Sequence, residues 1–148
     1  MPYIEEVCLA GKILEVSKYY SIKAHKKGEK RAKRENGTPE AMKRINQRQA
    51  AKKLRRLMNN NFVDGDFLVR LDFHKQQPSN SEEMQSMMSK AIRKMKAAYK
   101  KAGLEMKYIY VKEVGPKGSR HVHMCCNKCE PDLLRKCWPY GSVHLDLM

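Results

Sequence analysis

Residues 108–126 read YIYVKEVGPKGSRHVHMCC, and the reading of this stretch decides the fold. Gly115, Pro116, Lys117 and Gly118 form a turn signal between two runs rich in β-branched and aromatic residues, the pattern of an antiparallel hairpin. Leu104 to Glu113 reads as the first strand and Arg120 to Cys126 as its return. Side chains alternate along a strand, so His121 and His123 lie on one face, about 7 Å apart. The antiparallel return brings Glu113 beside them. Two imidazoles and one carboxylate, with further positions left open, suit a divalent metal used as a Lewis acid. His-x-His alone is common in strands; the carboxylate on the paired strand, with basic Lys117 and Arg120 nearby, distinguishes this one.

Working outward, Phe67 to Phe73 reads as a strand behind the turn signal Asp64-Gly65-Asp66, with Phe67, Val69, Leu71 and Phe73 on one face and Leu68, Arg70 and Asp72 on the other. Between this strand and the hairpin, Met84, Met88, Ala91, Ile92, Met95, Tyr99 and Ala102 recur at helical spacing, a core-facing stripe. Ser79 and Glu82 have capping-box spacing before it, and Gly103 is a C-terminal stop. Pro131 to Cys137 reads as a short helix and Ser142 to Leu147 alternates like a last strand, after a turn at Pro139-Tyr140-Gly141. Near the start, only residues 4–9 carry a faint strand signal. The sum is an α+β fold, a central antiparallel sheet with helices on one face.

The chain has 148 residues and a formal net charge of +15, which points to a polyanionic partner. No run approaches the roughly 18 apolar residues of a membrane span, and no secretory signal follows Met1, so a cytoplasmic location is expected. From Lys23 to Arg56 there are 14 Lys and Arg against 3 Glu. Residues 25–37 lack hydrophobic periodicity and read as a flexible basic arm. A helix follows, with Thr38 as N-cap and Pro39 at its first position. Met42, Ile45, Ala50, Leu54 and Leu57 form a narrow apolar stripe. Arg48, Lys52, Arg55 and Arg56, on the rest of its surface, are the candidate phosphate contacts. The expected organisation is an N-terminal segment and arm over 1–37 and a domain over 38–148.

The run from Tyr108 to Met124 resembles motif II of the rolling-circle replication initiators, the HUH endonucleases: a His-hydrophobe-His strand with an acidic ligand eight residues earlier, as Glu113 stands to His121. Phe67 to Phe73 is similar to their motif I, although Arg70 and Asp72 stand where related initiators often carry Thr. The order of elements also resembles replication-associated proteins of bacterial plasmids and phages, over roughly residues 38–147. The resemblance implies a ferredoxin/RRM-like core, Mg²⁺ or Mn²⁺ at Glu113, His121 and His123, and nicking and rejoining of single-stranded or hairpin origin DNA, with host replication proteins as further partners. It places Arg70, Lys117 and Arg120 near the scissile strand, in a bacterial cell on a plasmid or phage element. It also implies a nucleophilic tyrosine in a Tyr-x-x-Lys helix after the last strand. None of the seven tyrosines occupies that place, so the expectation is a domain truncated at its C-terminus. Tyr20, in Tyr20-Ser21-Ile22-Lys23, has the motif's spacing and is the remaining candidate.

A second reading rests on Cys126 and Cys129, which with Cys137, Cys125 or His123 have the makings of a structural Zn²⁺ knuckle in a non-catalytic nucleic-acid-binding module. A third is a basic nucleic-acid-binding protein without metal. Asp72 is read as a solvated strand-end residue, and His25, His74 and His144 are assigned no role.

Overall fold

The structure is a computed structural model that describes residues 3–20, 28, 30 and 37–148. The expected basic arm at 25–37 lies outside the described residues except at 28, 30 and 37. The fold is α+β, with six strands in two antiparallel sheets and three helices among the described residues. The chain divides into two compact units, Met1–Asn61 and Phe62–Met148, whereas the sequence reading separated 1–37 from 38–148.

The first unit pairs β1 (Tyr3–Ala10) with β2 (Ile13–Tyr20), in register from Tyr3 opposite Tyr20 to Ala10 opposite Ile13. The sequence pattern signalled only part of β1 and missed β2, because polar and apolar residues mix on both faces of this hairpin. Helix α1 (Pro39–Asn61) starts where Thr38 Oγ1 accepts the Ala41 N–H at 3.2 Å. It buries none of its residues, so its apolar stripe does not make a core. Charge holds it instead: Lys52 Nζ lies 2.6 Å from Glu6, Arg56 Nη2 2.9 Å from Glu6, Arg55 Nε 2.6 Å and Arg56 Nε 2.7 Å from Glu15. Lys52, Arg55 and Arg56, three of the expected phosphate contacts, thus pair with carboxylates of the hairpin. Arg48 makes no ion pair among the described residues.

This arrangement has a pH signature. Hydrogen bonds from Lys52 and then Arg56 hold the Glu6 carboxyl below its ordinary 4.5, and bonds from Arg56 and then Arg55 do the same for Glu15. A lowered carboxyl stabilises the folded form above its ordinary pKa, and that contribution is lost as pH falls through the folded value. We expect the hairpin–helix contact to hold at neutral pH and to loosen below about pH 4.5 or at high salt, read by amide exchange of β1 and β2. The Glu15→Gln variant should already be loose at neutral pH.

In the second unit the order is β3 (Phe67–Asp72), α2 (Ser81–Lys101), β4 (Tyr108–Val114), β5 (Arg120–Cys126), α3 (Pro131–Cys137) and β6 (Val143–Leu147). The strands lie in the order β4-β5-β3-β6, all neighbours antiparallel. Each helix therefore crosses over one intervening strand, the split βαβ arrangement of ferredoxin-like folds. One sheet face carries Val69, Leu71, Val122 and Met124, packed with Met84, Met88, Met95 and Tyr99 of α2 and Leu134 of α3, all essentially buried. The methionine stripe is core, as its period requires. Its cap is one residue later than expected: Asn80 Oδ1 accepts the Glu83 N–H at 2.8 Å, while Glu83 accepts from the Ser79 N–H and hydroxyl at 2.7 Å.

Strand β4 starts at Tyr108 and not at Leu104, because Asn127 captures the preceding backbone. Its Oδ1 accepts the Lys107 N–H at 2.7 Å and its Nδ2 donates to the Glu105 carbonyl at 3.0 Å. Among the described residues no helix is long and apolar enough to cross a membrane.

Candidate metal centre

The sheet face turned away from α2 is the open one. Extended backbone puts His121 and His123 of β5 on it, their rings 5.0 Å apart between centroids. Glu113 of β4 is directly opposite His121 in the ladder, because the turn closes with Gly118 N–H on the Gly115 carbonyl at 2.8 Å and Gly118 takes the positive φ the turn needs. Glu113 Oε2 lies 3.4 Å from His121 Nε2 and 3.2 Å from His123 Nε2. Two ligands on one ion at bond lengths of about 2.0–2.2 Å are separated by roughly 3.0–3.6 Å, so the donor set fits a divalent cation. Among the described residues, Glu113, His121 and His123 are the group of three whose ligand atoms converge within 4.8 Å.

The three ligands differ in freedom. His121 is 9 % exposed and its Nδ1 is buried with no hydrogen-bond partner, whereas the Glu113 side chain is 56 % exposed. One buried imidazole and two more exposed ligands leave the solvent side open, which suits exchangeable coordination positions.

The other sequence candidates separate by strand parity. Arg70 on β3 stands on the triad's face, opposite His123 in the ladder. Arg120 falls on the other face of β5; its guanidinium donates to the Pro78 carbonyl at 2.8 Å and so anchors the loop before α2. Lys117 is exposed at the turn tip. Tyr20 ends β2 in the first unit, edge-on to Tyr3 at 5.6 Å. The four tyrosines of the second unit are all engaged elsewhere. Tyr99 is in the core and donates to the Asn127 carbonyl at 2.6 Å. Tyr108 and Tyr110 stack on the α2 side, and Tyr140 packs on Phe73 and Trp138.

No cysteine belongs to the group of converging ligand atoms found among the described residues. Cys126, Cys129 and Cys137 are buried in the core, Cys125 alternates to the opposite face of β5 from Cys126, and His123 is turned to Glu113. Burial pushes the Cys126 thiol up to about 12 and raises those of Cys129 and Cys137. The folded protein favours the protonated Cys126 thiol, a contribution fully present below its ordinary pKa of 9.0 and lost as pH rises towards 12. Stability should therefore fall between pH 9 and 12, by at most about 1.4 kcal/mol per pH unit from this thiol. A denaturant series checks it, with Cys126→Ala showing a shallower fall than wild type.

Two residues that the sequence reading set aside join the open face. Asp72 of β3 is opposite His121 in the ladder, and His144 of β6 is opposite Arg70. Asp72 Oδ2 lies 3.1 Å from His144 Nε2 and accepts from the Ser142 hydroxyl at 3.3 Å, and Asp72 Oδ1 accepts from Arg70 Nε at 3.0 Å. The alternation of residues 142–147 puts His144 on one face, but nothing local says that β6 lies beside β3.

The family model for replication-associated protein ORF2/G2P matches residues 66–148, which takes in every element of the second unit. No curated protein and no solved structure matches the chain. The matched region is more than half of the sequence, and it carries the Glu-His-His face, so the role is one in replication: the chain belongs to the replication-associated protein ORF2/G2P family.

Proposed function

We propose that the second unit is a metal-dependent domain, of the HUH endonuclease kind, that nicks and rejoins single-stranded or hairpin origin DNA. The observation that carries this reading is the convergence of Glu113, His121 and His123 on the open face of the sheet. A bound divalent cation, Mg²⁺ or Mn²⁺, supplies Lewis-acid polarisation of the scissile phosphodiester. His121 and His123 would hold the ion through Nε2, and the exposed carboxylate of Glu113 would add the negative charge that favours a hard cation. Arg70, one strand over from His123, meets phosphate charge on the same face.

In the reaction a tyrosine hydroxyl oxygen bonds to phosphorus as the bond to O3′ breaks. The hydroxyl proton ends on O3′, leaving a 5′-phosphotyrosine and a free 3′-hydroxyl; the reverse step rejoins the strand. Tyr20, which has the Tyr-x-x-Lys spacing, is the nucleophile candidate that the sequence offers.

The test is incubation of the protein with labelled single-stranded and hairpin oligonucleotides in Mn²⁺. A cleaved strand with a 3′-hydroxyl and a denaturation-stable protein–DNA adduct is expected, abolished by EDTA, and peptide mapping of the adduct identifies the tyrosine. DNA binding without any Mn²⁺-dependent cleavage overturns the nicking reading and leaves a binding module.

A further inference from the structure

We propose that Arg70, Asp72 and His144 form a phosphate clamp beside the metal centre: Arg70 contacts the nucleic-acid backbone, while Asp72 and His144 are positioning residues that aim its guanidinium. The inference rests on the nucleic-acid reading above and extends it to residues outside the ligand set.

The argument starts from the ladder. His123, Arg70 and His144 stand side by side in one row across β5, β3 and β6. Neighbouring strands are about 4.8 Å apart, so Arg70 is one strand spacing from a metal ligand and His144 two. The three residues line one depression of about 290 Å³, together with Leu68, Val69 and Asp146. A backbone phosphate held there is on the same face as one held at Glu113, His121 and His123.

Exposure sorts the roles. The Asp72 side chain is 20 % exposed, against 52 % for Arg70 and 60 % for His144. The carboxylate is thus the sunken hub, and its two oxygens are divided between partners. Oδ1 takes the Arg70 Nε–H; Oδ2 takes His144 Nε2 and the Ser142 hydroxyl. Tying Arg70 through Nε leaves Nη1 and Nη2, side by side on the guanidinium, without a hydrogen-bond or ion-pair partner among the described residues. That pair of donors is the fork that binds two phosphate oxygens at once. His144 and Ser142 stop the Asp72 carboxylate from rotating, and so fix the direction of the fork. An isolated Arg–Asp pair on a surface contributes little; here the carboxylate is held from a second strand and opens beside a metal ligand.

The decisive comparison sets orientation against net charge. Asp72→Asn adds one unit of positive charge to the face, and attraction by net charge alone then tightens nucleic-acid binding. The clamp requires the opposite, because the amide no longer anchors Arg70 and His144 together. The experiment measures binding of a fluorescein-labelled single-stranded oligonucleotide of mixed sequence in EDTA by anisotropy. Arg70→Lys, which keeps the charge but loses the fork, should weaken binding about tenfold. Asp72→Asn and His144→Ala should each weaken it about three- to tenfold. Glu82→Gln, which removes an acid at the start of α2, should leave binding equal or slightly tighter. Thermal melts establish that each variant is folded, and His144→Ala, on an exposed position, carries the test if Asp72→Asn is unstable. Binding in Asp72→Asn and His144→Ala that equals or exceeds that of wild type overturns the clamp.

A second arm separates this from the nicking reading. In Mn²⁺, the clamp variants should raise KM for the oligonucleotide with kcat changed less than about twofold. If wild type binds but does not cleave, and the variants still bind more weakly in EDTA, the clamp stands and nicking falls. If wild type cleaves and the variants match its KM and its binding, the clamp falls and nicking stands.

Discussion

Replacing His121 and His123 together by alanine is expected to abolish Mn²⁺ binding and, with it, strand cleavage, while leaving the fold in place. Both imidazoles present Nε2 to the same oxygen of Glu113, at 3.4 and 3.2 Å, so the double variant keeps one exposed carboxylate of a three-membered site. Loss of an outer-shell partner alone typically costs 10–100-fold in metal affinity, and loss of two direct ligands should exceed about 100-fold. A bound metal contributes several kcal/mol of charge stabilisation, so the cleavage rate should fall by about 10³ or more. Titration calorimetry with Mn²⁺ measures the first effect and the oligonucleotide assay the second. The core is expected to survive because His121 Nδ1 makes no hydrogen bond that the fold depends on; circular dichroism and a melt check this. Unchanged Mn²⁺ affinity in the double variant would show that the ion binds elsewhere.

The second large effect is on stability, from Gly141→Ala. A Cβ at Gly141 would stand 2.0 Å from the Asp72 carbonyl oxygen, 2.7 Å from its carbon and 3.0 Å from the His74 nitrogen. All three are backbone atoms, so no side chain can swing aside. The same turn is laced to the end of β3 by the Asp72 N–H on the Ser142 carbonyl, the Lys75 N–H on the Tyr140 carbonyl, both at 3.0 Å, and Trp138 Nε1 on the Asp72 carbonyl at 2.9 Å. Making room means separating β6 from β3. Overpacking against yielding side chains costs about 1–3 kcal/mol; against backbone the cost should reach about 3 kcal/mol or more, lowering Tm by of order 10 °C. Thermal or urea unfolding measures it, and a midpoint equal to that of wild type would mean that the turn has another conformation within reach. The position matters to function as well, since Asp72 holds Arg70 and His144.

Local signals carried much of the second unit. Strand period, turn chemistry and helical spacing placed β3, α2, β5, α3 and β6 within a residue or two of where they lie, and the eight-residue step from Glu113 to His121 brought all three ligands together. These are short-range consequences of backbone geometry: a tight turn fixes the register of a hairpin, and register fixes which side chains face each other. The same logic failed where partners come from far along the chain. Lys52, Arg55 and Arg56 of α1 read as free charge because Glu6 and Glu15 lie some forty to fifty positions away. The spacing of Cys126 and Cys129 allows a metal knuckle, and it does not say that both thiols point into a core.

What the sequence by itself determined is therefore the hairpin and its Glu-His-His face, since four turn residues and a period of two suffice for it. What only the tertiary structure decided is the neighbour order of the strands, which sets β6 beside β3. Strand order follows from how α2 and α3 bury their apolar faces against the whole sheet, an interaction summed over many distant residues and written in no local motif. That order sets Arg70, Asp72 and His144 beside the Glu-His-His face, residues on strands that no turn connects to the hairpin.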